Sequence, residues 1–344
     1  MISAGILGAT GYAGAELARL LYHHPRVRVT SVASIEGVGQ RLGDYFPHLW
    51  PLDLTIKEEL GEVEVVFAAL PHAVAAKLLL PFIERGLPVI DLSADFRLKD
   101  VSVYESWYKT EHPRPQLLQE AVYGLPELHR EEIVGCQLLA NPGCYPTSAI
   151  LALAPAVKAG LIEGDIVVDS KSGASGAGRS PGLTTQLAEA GEGISAYALA
   201  GHRHLPEIVQ ELALLTEGPA PRVTFVPHLL PTARGILSTC YASLAAGVPS
   251  GSEEPARAVR QVYEAFYKDE PFVRVVDAPP QTKHARGSNF CLVYPTVDAR
   301  TGRLIVVSCL DNLVKGAAGQ AIQNMNLMLG FPETAGLEEL SLYP

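Results

Sequence analysis

Near the start of the chain, Gly8-Ala-Thr-Gly11-Tyr-Ala-Gly14 follows a short apolar stretch at 2–7. It precedes a segment, 12–23, with helical spacing through Leu17, Leu20 and Leu21. A glycine-rich turn between a strand and a helix restricts the choice of fold more than any average property does. The glycines let the backbone turn tightly and approach a pyrophosphate, whose charge the helix N-terminus stabilises. The spacing G-x-x-G-x-x-G is a variant of the dinucleotide fingerprint. It makes Gly8, Thr10, Gly11, Tyr12 and Gly14 candidate cofactor contacts, joined by Pro71 after the strand-like run at 63–70.

The rhythm of the first 145 residues agrees with that turn. Strand-like runs at 2–7, 27–33, 63–70 and 88–92 alternate with helical spacing at 12–23 and 72–84, the order of a parallel, doubly wound sheet. After Pro146 strands cluster at 166–170, 222–227, 234–244, 290–297 and 304–310, interrupted by two helices at about 253–268 and 313–329. The expected architecture is an α/β Rossmann-type domain plus an α+β domain with a mixed or antiparallel sheet. The stretches 98–115 and 178–193 read as long surface loops. The second strand ends at Ala33-Ser34, where an NAD site usually carries Asp or Glu for the ribose hydroxyls. A serine there can donate to a 2′-phosphate without repelling it, which favours NADP. No Arg follows Ser34; Ile35 and Glu36 do, and Arg41 is the nearest cation downstream.

Composition sets outer limits. With 344 residues the chain exceeds the roughly 250–300 at which one core stops growing, so two domains are expected. Hydrophobic residues at 48% and charged residues at 19% exclude disorder as the dominant state. The net charge of −10 and the lack of a basic run longer than His202-Arg203-His204 argue against nucleic acid as a partner. The most apolar long stretch, 148–162, is too short to span a bilayer and contains Pro155 and Lys158. The N-terminus has no charged region of a signal peptide, and the five cysteines include no Cys-x-x-Cys pair. A cytoplasmic protein without membrane, disulfide framework or structural metal is expected.

One cysteine stands apart. Asn141-Pro-Gly-Cys144-Tyr-Pro146-Thr lies between the strand-like 137–140 and the helix-like 148–157, and proline is tolerated in a first helical turn. Cys144 is therefore expected at a helix N-terminus, where the dipole and free N–H groups favour thiolate. Asn141 can offer an amide to a developing oxyanion. Cys136, Cys240, Cys291 and Cys309 read as structural. The proton partner expected for Cys144 is in Gly201-His202-Arg203-His204-Leu-Pro-Glu207, with Glu207 able to orient a histidine. A His-x-His pair can also bind zinc, but no fourth ligand is evident. Arg97, Ser172 and Arg179 are candidates for gripping phosphate or a substrate carboxylate.

A nicotinamide site, a helix-start cysteine and a histidine are the equipment of a phosphorylating aldehyde dehydrogenase. GATGYAGAEL at 8–17, DLSADFRL at 91–98, YGLPE at 123–127, NPGCYPT at 141–147, KSGASGAGR at 171–179, GHRHLPEI at 201–208 and DNLVKGAAGQA at 311–321 resemble the N-acetyl-gamma-glutamyl-phosphate reductases. These are third-step enzymes of arginine biosynthesis in the aspartate-semialdehyde dehydrogenase superfamily. The matches span residues 8–321. The resemblance implies NADPH-dependent reduction of an acyl phosphate through a cysteine thioester, with Cys144 as nucleophile and His202 as acid/base. It makes His204 and Glu207 supporting residues and sets Asn312 near the nicotinamide. It also implies an NADP domain at 1–145 rejoined by 312–344, a catalytic and dimerisation domain at 146–311, and a homodimer or homotetramer. Three other readings stand beside it: a lysine-pathway reductase acting on the one-carbon-longer aminoadipyl phosphate, a non-catalytic NADP sensor, and a thiol hydrolase. The sensor would lack the Cys or its His, and the hydrolase would need no Gly8–Gly14 turn.

Overall fold

The computed structural model describes residues 1–246 and 254–344, which divide into two compact units. One comprises Met1–Gly143 with Ala317–Glu339, the other Cys144–Gly316 with Leu340–Pro344. These limits depart from the sequence-based boundaries at three places. Cys144 and Tyr145 belong to the second unit because they begin its first helix, Cys144–Lys158. Residues 312–316 stay there because Asp311 ties them down, and 340–344 return through a bond from the Leu342 N–H to the Arg286 carbonyl.

The first unit is built on a seven-stranded sheet. Its strands are β1 (Ile2–Leu7), β2 (Val27–Ala33), β3 (Ile56–Lys57), β4 (Val65–Ala68), β5 (Val89–Asp91), β6 (Val122–Tyr123) and β7 (Leu138–Ala140). Every pairing is parallel, in the order β3-β2-β1-β4-β5-β7-β6. The chain runs outward from β1 to β3, then restarts at β4 on the other side of β1. A crevice for ligands opens at such a reversal, beyond the C-terminal ends of the strands. Leu7, Val66, Ala68, Leu79, Val89 and Phe96 form part of the core on one face. The expected long loop at 98–115 instead contains a helix, Val101–Tyr108. Asp100 accepts bonds from the Ser102 and Val103 N–H groups, satisfying donors that a helix start leaves orphaned. Tyr104 anchors that helix, buried with its hydroxyl donating to Asp95.

The second unit has a mixed sheet, as expected. Its strands are β8 (Ile162–Gly173), β9 (Ser195–Ala196), β10 (Arg222–Leu230), β11 (Ile236–Leu244), β12 (Val273–Val275), β13 (Cys291–Asp298) and β14 (Arg303–Leu310), in the order β12-β13-β14-β11-β8-β10-β9. The Cys144–Lys158 helix is buried from Tyr145 to Val157 and packs on β11, β14, β13 and β8. Pro155 cannot donate to the Leu151 carbonyl, and the Tyr267 hydroxyl does so in its place. Near the helix start, Ser148 of the helix, Ser170 of β8, Ser238 of β11 and Ser308 of β14 are fully buried. They form a chain of hydroxyl contacts of 2.7–2.8 Å. Buried hydroxyls must find partners, and this network ties the helix to the three central strands.

Of the remaining expectations, the helix from about 253 is found as Glu254–Phe266, residue 253 itself lying outside the described residues. The one at 313–329 splits into a π-turn, Val314–Ala318, and a helix, Gly319–Met328. The stretch 178–193 is mostly exposed, with short turns at Leu183–Thr185 and Leu187–Ala190. Among the described residues no helix is long and apolar enough to cross a membrane.

Candidate active site

In the first unit, the glycine turn sits between β1 and the helix Tyr12–Tyr22, at the sheet's reversal. Gly8 has φ +78°, and a Cβ there would lie 2.2 Å from the Ala69 carbonyl oxygen; at Gly14 it would lie 2.4 Å from that of Gly8. Only glycine fits either place. Gly11 is the N-cap and offers no side-chain acceptor, and the first turn carries no acidic residue. That helix start therefore presents backbone donors without an internal anion, the chemistry a pyrophosphate requires. Thr10 is buried and its hydroxyl meets that of Ser34 at 2.5 Å, beside the C-terminal end of β2. Tyr12 is the first residue of the helix and partly exposed. These residues fit a dinucleotide.

Pro71 lies exposed in the loop after β4, a loop shaped from a distance by the DLSADFRL motif. Asp95 accepts from the Ala73 and Ala76 N–H groups at 2.7 and 3.0 Å, which holds Ala73 at φ +64°. The Ala94 N–H donates to His72 Nδ1. Arg97, expected to grip an anion, is 4% exposed and donates to the carbonyls of Asn141 and Leu92 at 2.8 Å. Its position braces the loop that leads to Cys144. Asn141, expected as an oxyanion donor, is fully buried; its amide donates to the Ala317 carbonyl and accepts from Asn324. The structure thus gives both residues holding roles within the first unit.

In the second unit, Cys144 is the first residue of its helix and half-buried. Burial pushes the thiols of Cys136, Cys240 and Cys309 up to about 12. The π-turn closes against Cys144. A Cβ on Gly316 would stand 2.8 Å from Cys144 Cβ and 3.3 Å from its Cα. Asp311 shapes that turn: its carboxylate accepts from the Leu313 and Gly287 N–H groups, and its carbonyl accepts from the Gly316 N–H at 2.9 Å. Sequence reasoning missed Asp311 and Gly316, although both lie in a motif it quoted; what they do depends on a contact across more than 160 residues of chain.

His202 is half-buried in a box of rings: Tyr145 at 5.9 Å, Tyr197 at 5.7 Å, His204 at 4.8 Å and Phe225 at 5.4 Å. Tyr145 adjoins Cys144; its hydroxyl donates to the His228 carbonyl and receives a bond from Tyr197. Burial raises the pKa of both tyrosines, and the charge of Cys144 adds to the rise in each, so thiol, tyrosines and histidine share one neighbourhood. His202 Nδ1 accepts the backbone N–H of His204 at 3.1 Å. Burial first, then the adjacent Arg203 cation, lowers its pKa to about 4. Glu207, expected to orient a histidine, is buried on the first turn of the helix Leu205–Ala213 and makes no bond to His202.

Ser172 is 3% exposed, and its hydroxyl bonds the Gly173 carbonyl and the Tyr145 hydroxyl. Arg179 is exposed on the segment after β8, so it alone of the three proposed anion grips reaches solvent. Asn312 is 2% exposed; it accepts from the Gly235 N–H and donates to Ser175 Oγ. Among the described residues no group of three or more His, Cys, Asp or Glu is arranged to hold a metal ion.

Comparison with known proteins covers both units. Residues 3–136 match the family model described as "Semialdehyde dehydrogenase, NAD binding domain", and 144–312 match "Semialdehyde dehydrogenase, dimerisation domain". The chain is 56% identical to the N-acetyl-gamma-glutamyl-phosphate reductase of Dehalococcoides mccartyi strain CBDB1, over 99% of this chain and 98% of that one. It is 51% identical to the enzyme of the same name from Geobacter metallireducens, over the full length of both. Among solved structures, aspartate semialdehyde dehydrogenase II of Vibrio cholerae, complexed with ASA, aligns with a TM-score of 0.71 at 18% identity. That alignment covers 96% of this chain and 98% of that one. The Candida albicans aspartate semialdehyde dehydrogenase with NADP aligns at 0.69 and 20%, covering 98% and 99%.

Proposed function

Since the chain belongs to the N-acetyl-gamma-glutamyl-phosphate reductase family of semialdehyde dehydrogenases, we propose that it reduces N-acetyl-gamma-glutamyl phosphate to N-acetylglutamate 5-semialdehyde and phosphate, in arginine biosynthesis. The observation that carries the reading is Cys144, half-buried at the start of its helix beside the tyrosines that enclose His202. A helix N-terminus stabilises negative charge on a sulfur placed there and on an oxyanion formed beside it.

The chain's residues then divide the work. Gly8, Thr10, Gly11, Tyr12, Gly14, Ser34 and Pro71 would hold the nicotinamide cofactor. The Ser34–Thr10 hydroxyl pair, without a carboxylate at the end of β2, supports NADPH over NADH. When bound, the reduced cofactor supplies a hydride to the acyl carbon. Cys144 attacks the acyl-phosphate carbon, and the C–O bond to phosphate breaks to leave a thioester. That covalent link keeps the acyl group in place while phosphate departs. After reduction the C–S bond breaks, returning the thiolate and releasing the aldehyde. His202 is the acid/base proposed to supply the proton that regenerates the thiol; Arg179, exposed beyond β8, is the cation proposed for the departing phosphate. Asn312 is assigned to the cofactor side by family resemblance; in this chain its amide is already bonded to Gly235 and Ser175.

The reaction is most easily tested in reverse, with N-acetylglutamate semialdehyde, phosphate and NADP or NAD, followed by reduced-cofactor absorbance. Phosphate-dependent reduction by the native chain, lost by at least about 10³-fold in Cys144→Ala, is the expected result. Turnover that ignores phosphate, or survives the substitution, would sink the reading.

A further inference from the structure

Two helices begin beside the reversal of the first sheet, and they differ in what meets their first N–H groups. The helix after β1 starts with neither a side-chain acceptor nor an acidic first turn. The helix after β4, Ala75–Glu84, has Val74 at its N-cap, which carries no acceptor either. Its Ala76 N–H is met instead from another segment, by Asp95 Oδ2 at 3.0 Å. Asp95 Oδ1 accepts the Ala73 N–H at 2.7 Å and the Tyr104 hydroxyl at 3.1 Å. The fully buried carboxylate thus receives three donors through both oxygens, the condition under which a buried charge is tolerated.

Those bonds hold a loop that has little else to hold it. Pro71, Ala73 and Val74 are exposed, so apolar burial contributes little to their conformation. Ala73 lies at φ +64°, a left-handed conformation that a residue with a Cβ disfavours about five- to thirty-fold. The segment that carries Asp95 supplies a second tie, from the Ala94 N–H to His72 Nδ1 at 3.0 Å. That segment is fixed from its own start. The Asp91 carboxylate, at the end of β5, accepts the Ser93 N–H and hydroxyl at 2.9 and 2.6 Å, and Ser93 Oγ accepts the Asp95 N–H at 3.1 Å. A strained, exposed loop is therefore held by a buried, internally bonded one. Strain persists where the surroundings over-determine it, and it concentrates at working sites.

We propose that Asp95 is a positioning residue for the nicotinamide cofactor: it keeps the loop 71–74 preformed, so that Pro71 and the backbone beside it meet the cofactor without first being ordered. The inference deepens the reductase reading and rests on its assignment of Pro71 to the cofactor. Apparent affinity falls in proportion to the fraction of protein in the binding-competent conformation. Without its bond to Asp95, Ala73 leaves the left-handed region, and that fraction drops by about five- to thirty-fold. Asparagine cannot replace the carboxylate. Its amide nitrogen must take the place of one oxygen, and there it turns N–H groups toward the backbone N–H of Ala73 or of Ala76.

NADPH titration followed by fluorescence tests this. Asp95→Asn should weaken binding about five- to thirty-fold with Ala73 in place, but less than about three-fold in an Ala73→Gly background, because glycine adopts φ +64° without the bond. Tyr104→Phe removes the third donor and leaves both backbone bonds. It should lower the urea midpoint while NADPH affinity stays within about two-fold of native. An equal loss in the two backgrounds, native affinity in Asp95→Asn, or a loss as large in Tyr104→Phe would overturn the proposal. Amide exchange in the native chain supplies a readout that needs no variant to fold. The Ala73 and Ala76 N–H groups should be protected before NADPH is added, and free exchange until the cofactor binds would also overturn it. Exchange is read without cofactor, so a native protein that binds no NADPH is recognised separately, as failure of the reductase reading and of the proposal built on it.

Discussion

The contact between Gly316 and Cys144 shows how little room Cys144 has. A methyl group on Gly316 would sit 2.8 Å from Cys144 Cβ, and two carbons at that distance cannot coexist without a shift. The turn has few ways to yield, because the Asp311 carbonyl holds the Gly316 N–H and the Asp311 carboxylate holds both Leu313 and Gly287. Cys144 must therefore rotate or tilt. A misplacement of about 1 Å costs on the order of 10²-fold in rate. Gly316→Ala is expected to slow both turnover and alkylation of Cys144 by iodoacetamide at least ten-fold, with NADPH affinity unchanged. Native alkylation kinetics in the variant would remove Gly316 from the positioning set. At this scale Cys144 and His202 were legible as residue types, because a cysteine before a helix and a His-Arg-His run are local patterns. That Asn141 and Arg97 spend their polar atoms on holding the Cys144 loop was not, since their partners lie up to 183 residues away.

The helix that begins at Cys144 is sunk into its unit along almost its whole length, so its register on the sheet decides where Cys144 stands. Apolar contacts between helix and sheet carry little directional information; the hydroxyl network of Ser148, Ser170, Ser238 and Ser308 does. Ser238 bonds both Ser148 and Ser170, so Ser238→Ala leaves two buried hydroxyls each short of a partner. The expected cost is about 1–3 kcal/mol, read as a lower midpoint in urea at unchanged m-value. Ser238→Ala at native stability would mean that the hydroxyls find other partners. Periodicity revealed the longest helices and the longer strands of both sheets, because alternation and 3.6-residue spacing are properties of a local window, but not the helices Pro126–Ile133 and Leu205–Ala213. It overlooked the helix Val101–Tyr108, whose start rests on the Asp100 cap rather than on an apolar stripe. It also did not reveal the π-turn at Val314–Ala318, which exists because Asp311 and Cys144 shape the chain there.

The second unit uses one sheet face for the Cys144 helix, while alternate residues of the other, among them Val167, Leu237, Tyr241, Ile305, Val307 and Tyr294, remain partly exposed. A partly apolar sheet face of that extent supports a homodimer or homotetramer, and the family model matching this unit is described as a dimerisation domain. Light scattering of the native chain should give a multiple of the 36.8 kDa monomer, and Ile305→Asp should shift the population toward monomer. A native monomer at micromolar concentration would refute the assignment. By itself the sequence determined the two-unit α/β and α+β architecture, the glycine turn after β1 and a cysteine placed at a helix start. Each is written in local periodicity, in glycines at a strand–helix junction or in a run of adjacent residues. Only the tertiary structure decided which amides and guanidinium groups are spent on carbonyls. It also decided which backbone presses on Cys144 and which rings enclose His202. Those depend on hydrogen bonds and close approaches between segments far apart in the chain, and no local pattern encodes the geometry of a contact.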